Sequence, residues 1–248
     1  MTQYLAVANP AGGTGKTTTA HALAVSFAEY GKRTLLVDCT STANLTYLLG
    51  VENPRDTTFD LFSNSSFAES AIVSTSERFS FLPSDSRLSY LDNRDKSLKA
   101  ITENFKKSLD QIDSPFDFVI LDTPSTLSQG WMATLLLADF HLGVTTAGFG
   151  SVRGIIQTQE VVEVLRKSHG SSAHWLGTLT TQGANDSPAL DLLGSESRLL
   201  APSIPRASSV LAAETTGKSV LNNDNSGKVA LAYRELAYFL LEEITSKS

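Results

Sequence analysis

A chain of 248 residues, 41% apolar and with a net charge of −6, has enough length to bury most of its unfolded surface as one α/β domain spanning residues 1–248. Its acidity excludes a global attraction to nucleic acid or anionic lipid, so any such contact has to come from a local patch. Its one cysteine, Cys39, excludes an internal disulfide and a four-cysteine cluster, and His21, His141, His169 and His174 show no metal-ligand spacing. No apolar run approaches the ~20 residues of a membrane span, and the N-terminus enters a strand without the basic and apolar regions of a signal peptide. A cytoplasmic chain is expected.

Apolar runs predict strands at Tyr4–Ala8, Thr34–Val37, Phe79–Leu82, Phe118–Leu121, Leu142–Thr145 and Leu176–Thr180. Between them, helical spacing predicts helices over about 16–30, 94–112, 128–138, 153–168, 187–200 and 227–245. In the first of these, Ala20, Leu23, Ala24, Phe27 and Ala28 share a face. Stretches 52–78 and 183–198 are rich in Ser, Asn, Asp and Pro and read as surface excursions. The alternation argues for a doubly wound, mostly parallel sheet with helices on both faces, a three-layer α/β fold. Ligands of such sheets bind beyond the carboxyl ends of the strands, where Asn9, Asp38 and Asp122 fall.

Residues 9–18, Asn-Pro-Ala-Gly-Gly-Thr-Gly-Lys-Thr-Thr, lie between the first strand and the first helix, the context of a phosphate-binding loop. Gly12, Gly13 and Gly15 let backbone amides curl around an anion at the positive end of a helix. Lys16 can reach β- and γ-phosphates, and the Thr17 hydroxyl can bind Mg²⁺. Phe118-Val119-Ile120-Leu121-Asp122, followed by Thr123-Pro124-Ser125, has the form of a Walker B strand whose carboxylate holds the Mg²⁺ shell. The strict G-x-x-x-x-G-K-[ST] template wants glycine at position 10, where Pro10 stands.

In order and spacing, these pieces resemble the ParA/MinD-type deviant Walker ATPases of the Soj-like small form, P-loop NTPases. The likeness adds Gly31 through Asp38, Asn44-Leu45-Thr46, Leu49-Gly50, Ile204-Pro205-Arg206, Ala213-Glu214, Gly217-Lys218 and Ala232 through Ala237. The resemblance implies an ATPase that dimerises around ATP and Mg²⁺, sits on nonspecific DNA of the nucleoid and distributes a cargo: a plasmid, a chromosome locus or a protein compartment. A stimulatory adaptor protein marks that cargo and triggers hydrolysis. By carry-over, Gly12, Gly13, Thr14, Gly15, Lys16, Thr17 and Thr18 hold phosphates. Pro205 and Arg206 lie at the adenine, and Thr17, Asp38 and Asp122 form the metal shell.

Two departures bear on catalysis. The family's signature lysine before the first loop glycine is here Ala11, and its Asp-x-Asp-Pro-Gln motif reads Asp38-Cys39-Thr40-Ser41-Thr42. Thr40 accepts a water's proton poorly at neutral pH, so low or unusual turnover is expected, unless Asp38 takes over. The carboxysome-positioning branch of the family also lacks the loop lysine, and two roles are open for Arg153: it replaces that lysine across the dimer, beside Lys16 and Asp38 as a catalytic group, or it caps or flanks its helix at the surface. Alternative expectations are a nucleotide-bound scaffold without turnover and a MinD-like membrane switch. In the latter, the last helix would insert Tyr233, Leu236, Ala237, Leu240, Leu241 and Ile244. Its polar side carries Glu235, Glu242 and Glu243, unlike the Lys/Arg-rich face of an interfacial anchor, which favours packing on the sheet. Arg166, Lys167, Arg198, Lys218, Lys228 and Arg234 are scattered and read as solvated surface.

Overall fold

The computed structural model describes residues 2–64, 68–93, 97–112, 115–183 and 187–247. An eight-stranded sheet runs through it: β1 (Gln3–Ala8), β2 (Thr34–Asp38), β3 (Val73–Ser74), β4 (Ser80–Leu82), β5 (Phe118–Asp122), β6 (Phe140–Thr145), β7 (His174–Thr180) and β8 (Leu199–Leu200). Their spatial order is β3-β4-β2-β5-β1-β6-β7-β8. Every neighbouring pair is parallel except β3 with β4. β5 inserts between β1 and β2, so the loops leaving β1, β2 and β5 open side by side at one edge.

The helices are α1 (Lys16–Glu29), α2 (Asn44–Leu48), α3 (Thr58–Asn64), α4 (Ala68–Ala71), α5 (Leu98–Leu109), α6 (Gln129–Leu137), α7 (Phe149–His169), α8 (Ser208–Thr216), α9 (Val220–Asn223) and α10 (Lys228–Lys247). Strand alternation assigns them to the two faces. Leu5, Val7, Leu36 and Ile120 join a core with α1, α9 and α10. Tyr4, Ala6, Leu35, Val37, Val119 and Leu121 join a second core with α3, α5, α6 and part of α7. β1, β2, β5 and β6 bury nearly every residue, as strands covered on both faces do. The apolar face of α10, from Tyr233 to Ile244, is buried in the first core. Each fully buried Leu there contributes about 1.5–3 kcal/mol, so this face is occupied by the core it shares with α1 and α9 and is not available to a bilayer. No helix among the described residues is long and apolar enough to cross a membrane.

Two expectations are corrected. The helix expected over 187–200 is two single 3₁₀ turns, Leu190–Leu192 and Ser195–Ser197, followed by β8; residues 184–186 of the excursion lie outside the described residues. Gly194 separates the turns and Arg198 takes a positive φ of 38°, so the leucine spacing there never forms a continuous helix. Stretch 52–78 contributes α3, whose Phe59, Leu61 and Phe62 are buried in the second core. Positions 94–96 of the helix expected over 94–112 lie outside the described residues.

One buried ion pair ties distant segments together. His21 on α1 meets Glu77 through Nε2 and Oε2 at 2.6 Å, both nearly buried. The other Glu77 oxygen accepts the Ser219 amide (2.9 Å) and the Asn222 side-chain amide (2.5 Å). Burial alone would raise the Glu77 pKa. The His21 bond and charge, with Asn222 and Ser219, overcome it and hold the carboxyl below its ordinary value of 4.5. A depressed carboxylate stabilises the fold above that ordinary value, and the contribution is lost as pH falls through the folded-state value. Glu77→Gln is therefore expected to cost about 1–3 kcal/mol near pH 7. In thermal unfolding from pH 7 to pH 3 the gap from wild type closes at the acid end; a gap independent of pH contradicts this.

Candidate functional site: the crevice over the glycine loop

The loop between β1 and α1 is held from below by Asn9. Its side-chain amide donates to the carbonyls of Val144 and Ser151, both at 2.9 Å, and its Oδ1 accepts the Ala11 amide at 2.9 Å. Gly154 of α7 packs directly on that Asn9 oxygen. From the side, the Thr181 hydroxyl donates to the Thr14 carbonyl (2.9 Å) and the Gln182 amide to the Gly13 carbonyl (3.0 Å). Gly13 and Gly15 have φ of 69° and 90°, conformations that a Cβ would strain. Around Gly12 and Gly13 there is open space. The loop is thus anchored by its carbonyls and one amide, with a cavity above it.

At the mouth of the loop Lys16 is 5% exposed. Its ammonium donates to the Ala11 carbonyl (2.9 Å) and to Ser125 Oγ (2.8 Å). Burial lowers its pKa and the Asp122 charge partly restores it. The Thr17 hydroxyl donates to Asp122 Oδ2 at 2.8 Å. Asp122 Oδ1 is buried without a partner among the described residues, as is the Thr14 hydroxyl. Burial, and then the neighbouring Asp38 charge, push Asp122 well above the usual carboxylate range, against the Thr17 bond and the Lys16 charge. A buried carboxylate oxygen without a donor is costly, and a cation beside Thr17 would relieve it. Ordinary Mg²⁺ coordination draws on such oxygen donors.

Asp38, expected in the metal shell, is saturated by the loop that follows it. One oxygen accepts the Thr40 amide (2.9 Å) and hydroxyl (2.7 Å), the other the Thr46 amide (3.1 Å) and hydroxyl (2.8 Å). Burial raises its pKa against these four bonds. The carboxylate pins α2 and the start of the Thr40 loop to the sheet. Thr40 keeps an oxygen lone pair for a further donor, since its proton goes to Asp38 and the Thr42 hydroxyl approaches at 3.4 Å.

Two adjoining cavities cover the loop. One, of about 420 Å³, is lined by Gly13 through Thr18, Asn44, Leu48, Ser125 and Glu214. The other, of about 390 Å³, is lined on its outer wall by Ile204, Pro205, Arg206, Val210 and Leu211. The first is bounded mainly by the glycine loop, an ammonium, hydroxyls and the Glu214 carboxylate; the second joins Ile204, Pro205, Val210, Leu211 and Tyr233 to the polar side chains of Thr181, Gln182, Arg206 and Glu214. A phosphate chain fits the first and a flat base the second, so the residues present fit a magnesium–nucleoside triphosphate. Pro205 and Arg206 line the second cavity, and Lys16 and Thr17 line the first, with Asp122 bonded to Thr17.

Arg153 sits at the start of the second turn of α7, one residue before Gly154. It is exposed and has no ion pair or hydrogen bond among the described residues. Four of the six scattered cations are paired instead: Arg166 and Lys167 with Glu163, Arg198 with Glu243, and Arg234 with Glu29. Sequence reasoning missed Thr181 and Gln182. Their only signal was their place just beyond the β7 carboxyl end, the edge at which the glycine loop opens.

The family model described as an AAA domain matches residues 2–173. The chain is 32% identical over 178 residues to the maintenance of carboxysome distribution protein A of Gloeothece citriformis, covering 71% of this chain and 69% of that protein. It is 26% identical over 246 residues to the chromosome partitioning protein ParA of Caulobacter vibrioides, covering 95% and 92%. Among solved structures it is similar to cobyrinic acid a,c-diamide synthase of Mycobacterium smegmatis with bound ATP analogue and magnesium, at a TM-score of 0.82 and 26% identity, covering 100% of this chain and 98% of that one. One fold thus carries both positioning proteins and a biosynthetic enzyme, and the site has to decide between them.

Proposed function

The chain belongs to the ParA/MinD-type P-loop ATPases of the AAA domain family, and on that premise we propose that it is an ATP-dependent positioning switch. It dimerises around ATP, binds nucleoid DNA without sequence preference and distributes a cargo marked by a stimulatory adaptor. The observation that carries this reading is the preassembled trio of Lys16, Thr17 and an Asp122 with one oxygen unpartnered among the described residues. Loop amides from Gly12 to Thr18 and the Lys16 ammonium hold the β- and γ-phosphates. Thr17 and Asp122 hold Mg²⁺, which when bound neutralises charge on the phosphate oxygens. Pro205 and Arg206 flank the adenine.

Hydrolysis is slow. The family's orienting carboxylate is replaced by Thr40, which holds a water by its lone pair but passes no proton to the saturated Asp38. Loss of such a group costs about two to three powers of ten in rate. Arg153, unpaired and carried on the turn that abuts the loop, reaches the partner's phosphates in the dimer and supplies the charge that Ala11 cannot. The second reading, a nucleotide-bound scaffold without turnover, draws on the same Thr40–Asp38 bond; phosphate release in the presence of DNA separates the two.

Sedimentation with Mg-ATP is expected to give dimers for the wild type and monomers for Arg153→Ala, with ATP affinity of the monomer changed less than about threefold. The wild-type dimer binds random duplex DNA only with ATP, and its affinity falls steeply with salt. Unchanged dimers in Arg153→Ala would sink the role given to Arg153, and nucleotide-independent or absent DNA binding would sink the positioning reading.

A further inference from the structure

We propose that Glu214 reads the sugar of the bound nucleotide, making the site selective for ribonucleotides over deoxyribonucleotides; this rests on the nucleotide-binding reading above and names what that site discriminates. Four residues line both cavities: Gly13, Gly15, Thr18 and Glu214. The first three belong to the loop floor and the start of α1. Glu214, from the last full turn of α8, stands on the opposite wall and is the one charged side chain of the four. These shared residues mark the junction between the cavity over Lys16 and Thr17 and the more apolar one walled by Ile204, Pro205, Val210 and Leu211. In a nucleoside triphosphate laid along the crevice, the group that occupies the junction is the pentose.

The chemistry of the junction matches that group. A ribose presents two vicinal hydroxyls, both donors, and a carboxylate accepts from both. Glu214 is exposed and has no hydrogen bond or ion pair among the described residues, so its acceptors are uncommitted. A free carboxylate beside a corridor for a triphosphate opposes the ligand's own charge, and donation from the sugar hydroxyls offsets that opposition. Its neighbours on α8, Val210 and Leu211, face the base cavity, which puts the carboxylate one turn further along the helix, on the phosphate side of the base. The same carboxylate disfavours nucleotides phosphorylated on the 2′ or 3′ oxygen, because two anionic groups would then meet at the junction.

Calorimetric titration of the wild type with Mg-ATP, Mg-2′-deoxyATP and Mg-3′-deoxyATP is expected to show each deoxy form binding about tenfold more weakly, the loss of one hydrogen bond to a charged acceptor. In Glu214→Ala, a substitution at an unpaired surface position, the three nucleotides bind within about twofold of one another. Wild-type affinities that agree within twofold overturn the proposal, as does a Glu214→Ala chain that keeps the tenfold preference. A wild type that binds none of the three overturns the nucleotide-site reading itself, a result separate from equal binding of all three.

Discussion

Lys16→Ala is expected to lower ATP affinity by at least about a hundredfold, which in titration calorimetry removes saturable binding at micromolar nucleotide. The side chain is 5% exposed and its ammonium already sits on the Ala11 carbonyl and the Ser125 hydroxyl, so little conformational freedom is lost when it turns to phosphate. Two charge-assisted hydrogen bonds to phosphate oxygens at about 1.5–3 kcal/mol each account for a loss of this size. No side chain at Ala11 can compensate. The empty-site fold responds differently. Burial opposes the charged form of Lys16, so removing it relieves a desolvation cost while leaving the Ala11 carbonyl without a donor. The melting temperature without nucleotide is expected to move by no more than a few degrees. A variant that binds ATP within tenfold of wild type would show that the loop amides alone hold the phosphates. A variant that unfolds would place Lys16 among the structural residues.

Much of this was legible in residue order. The strand–glycine loop–helix unit, the strand ending in Asp38 and the strand ending in Asp122 carry their own signals, because continuous apolar runs and a short-range Gly-Lys-Thr pattern depend only on neighbours in the chain. What stayed hidden depends on contacts between distant segments. The Asn9 amide finds its partners at Val144 and Ser151, more than 130 residues away. Nothing local distinguishes an Asp38 that faces a metal from one that accepts four bonds from Thr40 and Thr46. Leu190, Leu192, Leu193 and Leu200 mimic helical spacing, yet Gly194 and a positive φ at Arg198 break the segment into turns and a short edge strand. The last helix shows the reverse case. Its strong apolar face was legible, and its packing against α1 and α9 decided that the face is core.

Gly154→Ala tests whether the loop depends on the helix beneath it. A Cβ at position 154 would run into the Asn9 side-chain Oδ1, which is the acceptor for the Ala11 amide. Either α7 retreats or Asn9 turns away, and turning away strands its amide from Val144 and Ser151 inside the core. Each buried polar group left without a partner costs about 1–3 kcal/mol. Alanine is preferred over glycine within a helix by about 0.8–1.0 kcal/mol, which offsets part of this. A net loss of about 2–4 kcal/mol is expected, and a melting temperature lower by roughly 5–15 °C for a chain of this size. The nucleotide affinity falls as well, because the amide of Ala11 and the bend at Gly12 lose their anchor. Gly150→Ala is the control: it lies in the first turn of the same helix, and a Cβ there meets nothing within 4 Å. That variant is expected to melt at or slightly above the wild-type temperature and to bind ATP normally. If the two variants behave alike in a melting series with and without Mg-ATP, the loop is held by Thr181 and Gln182 alone, and α7 is free to shift without consequence for the phosphates.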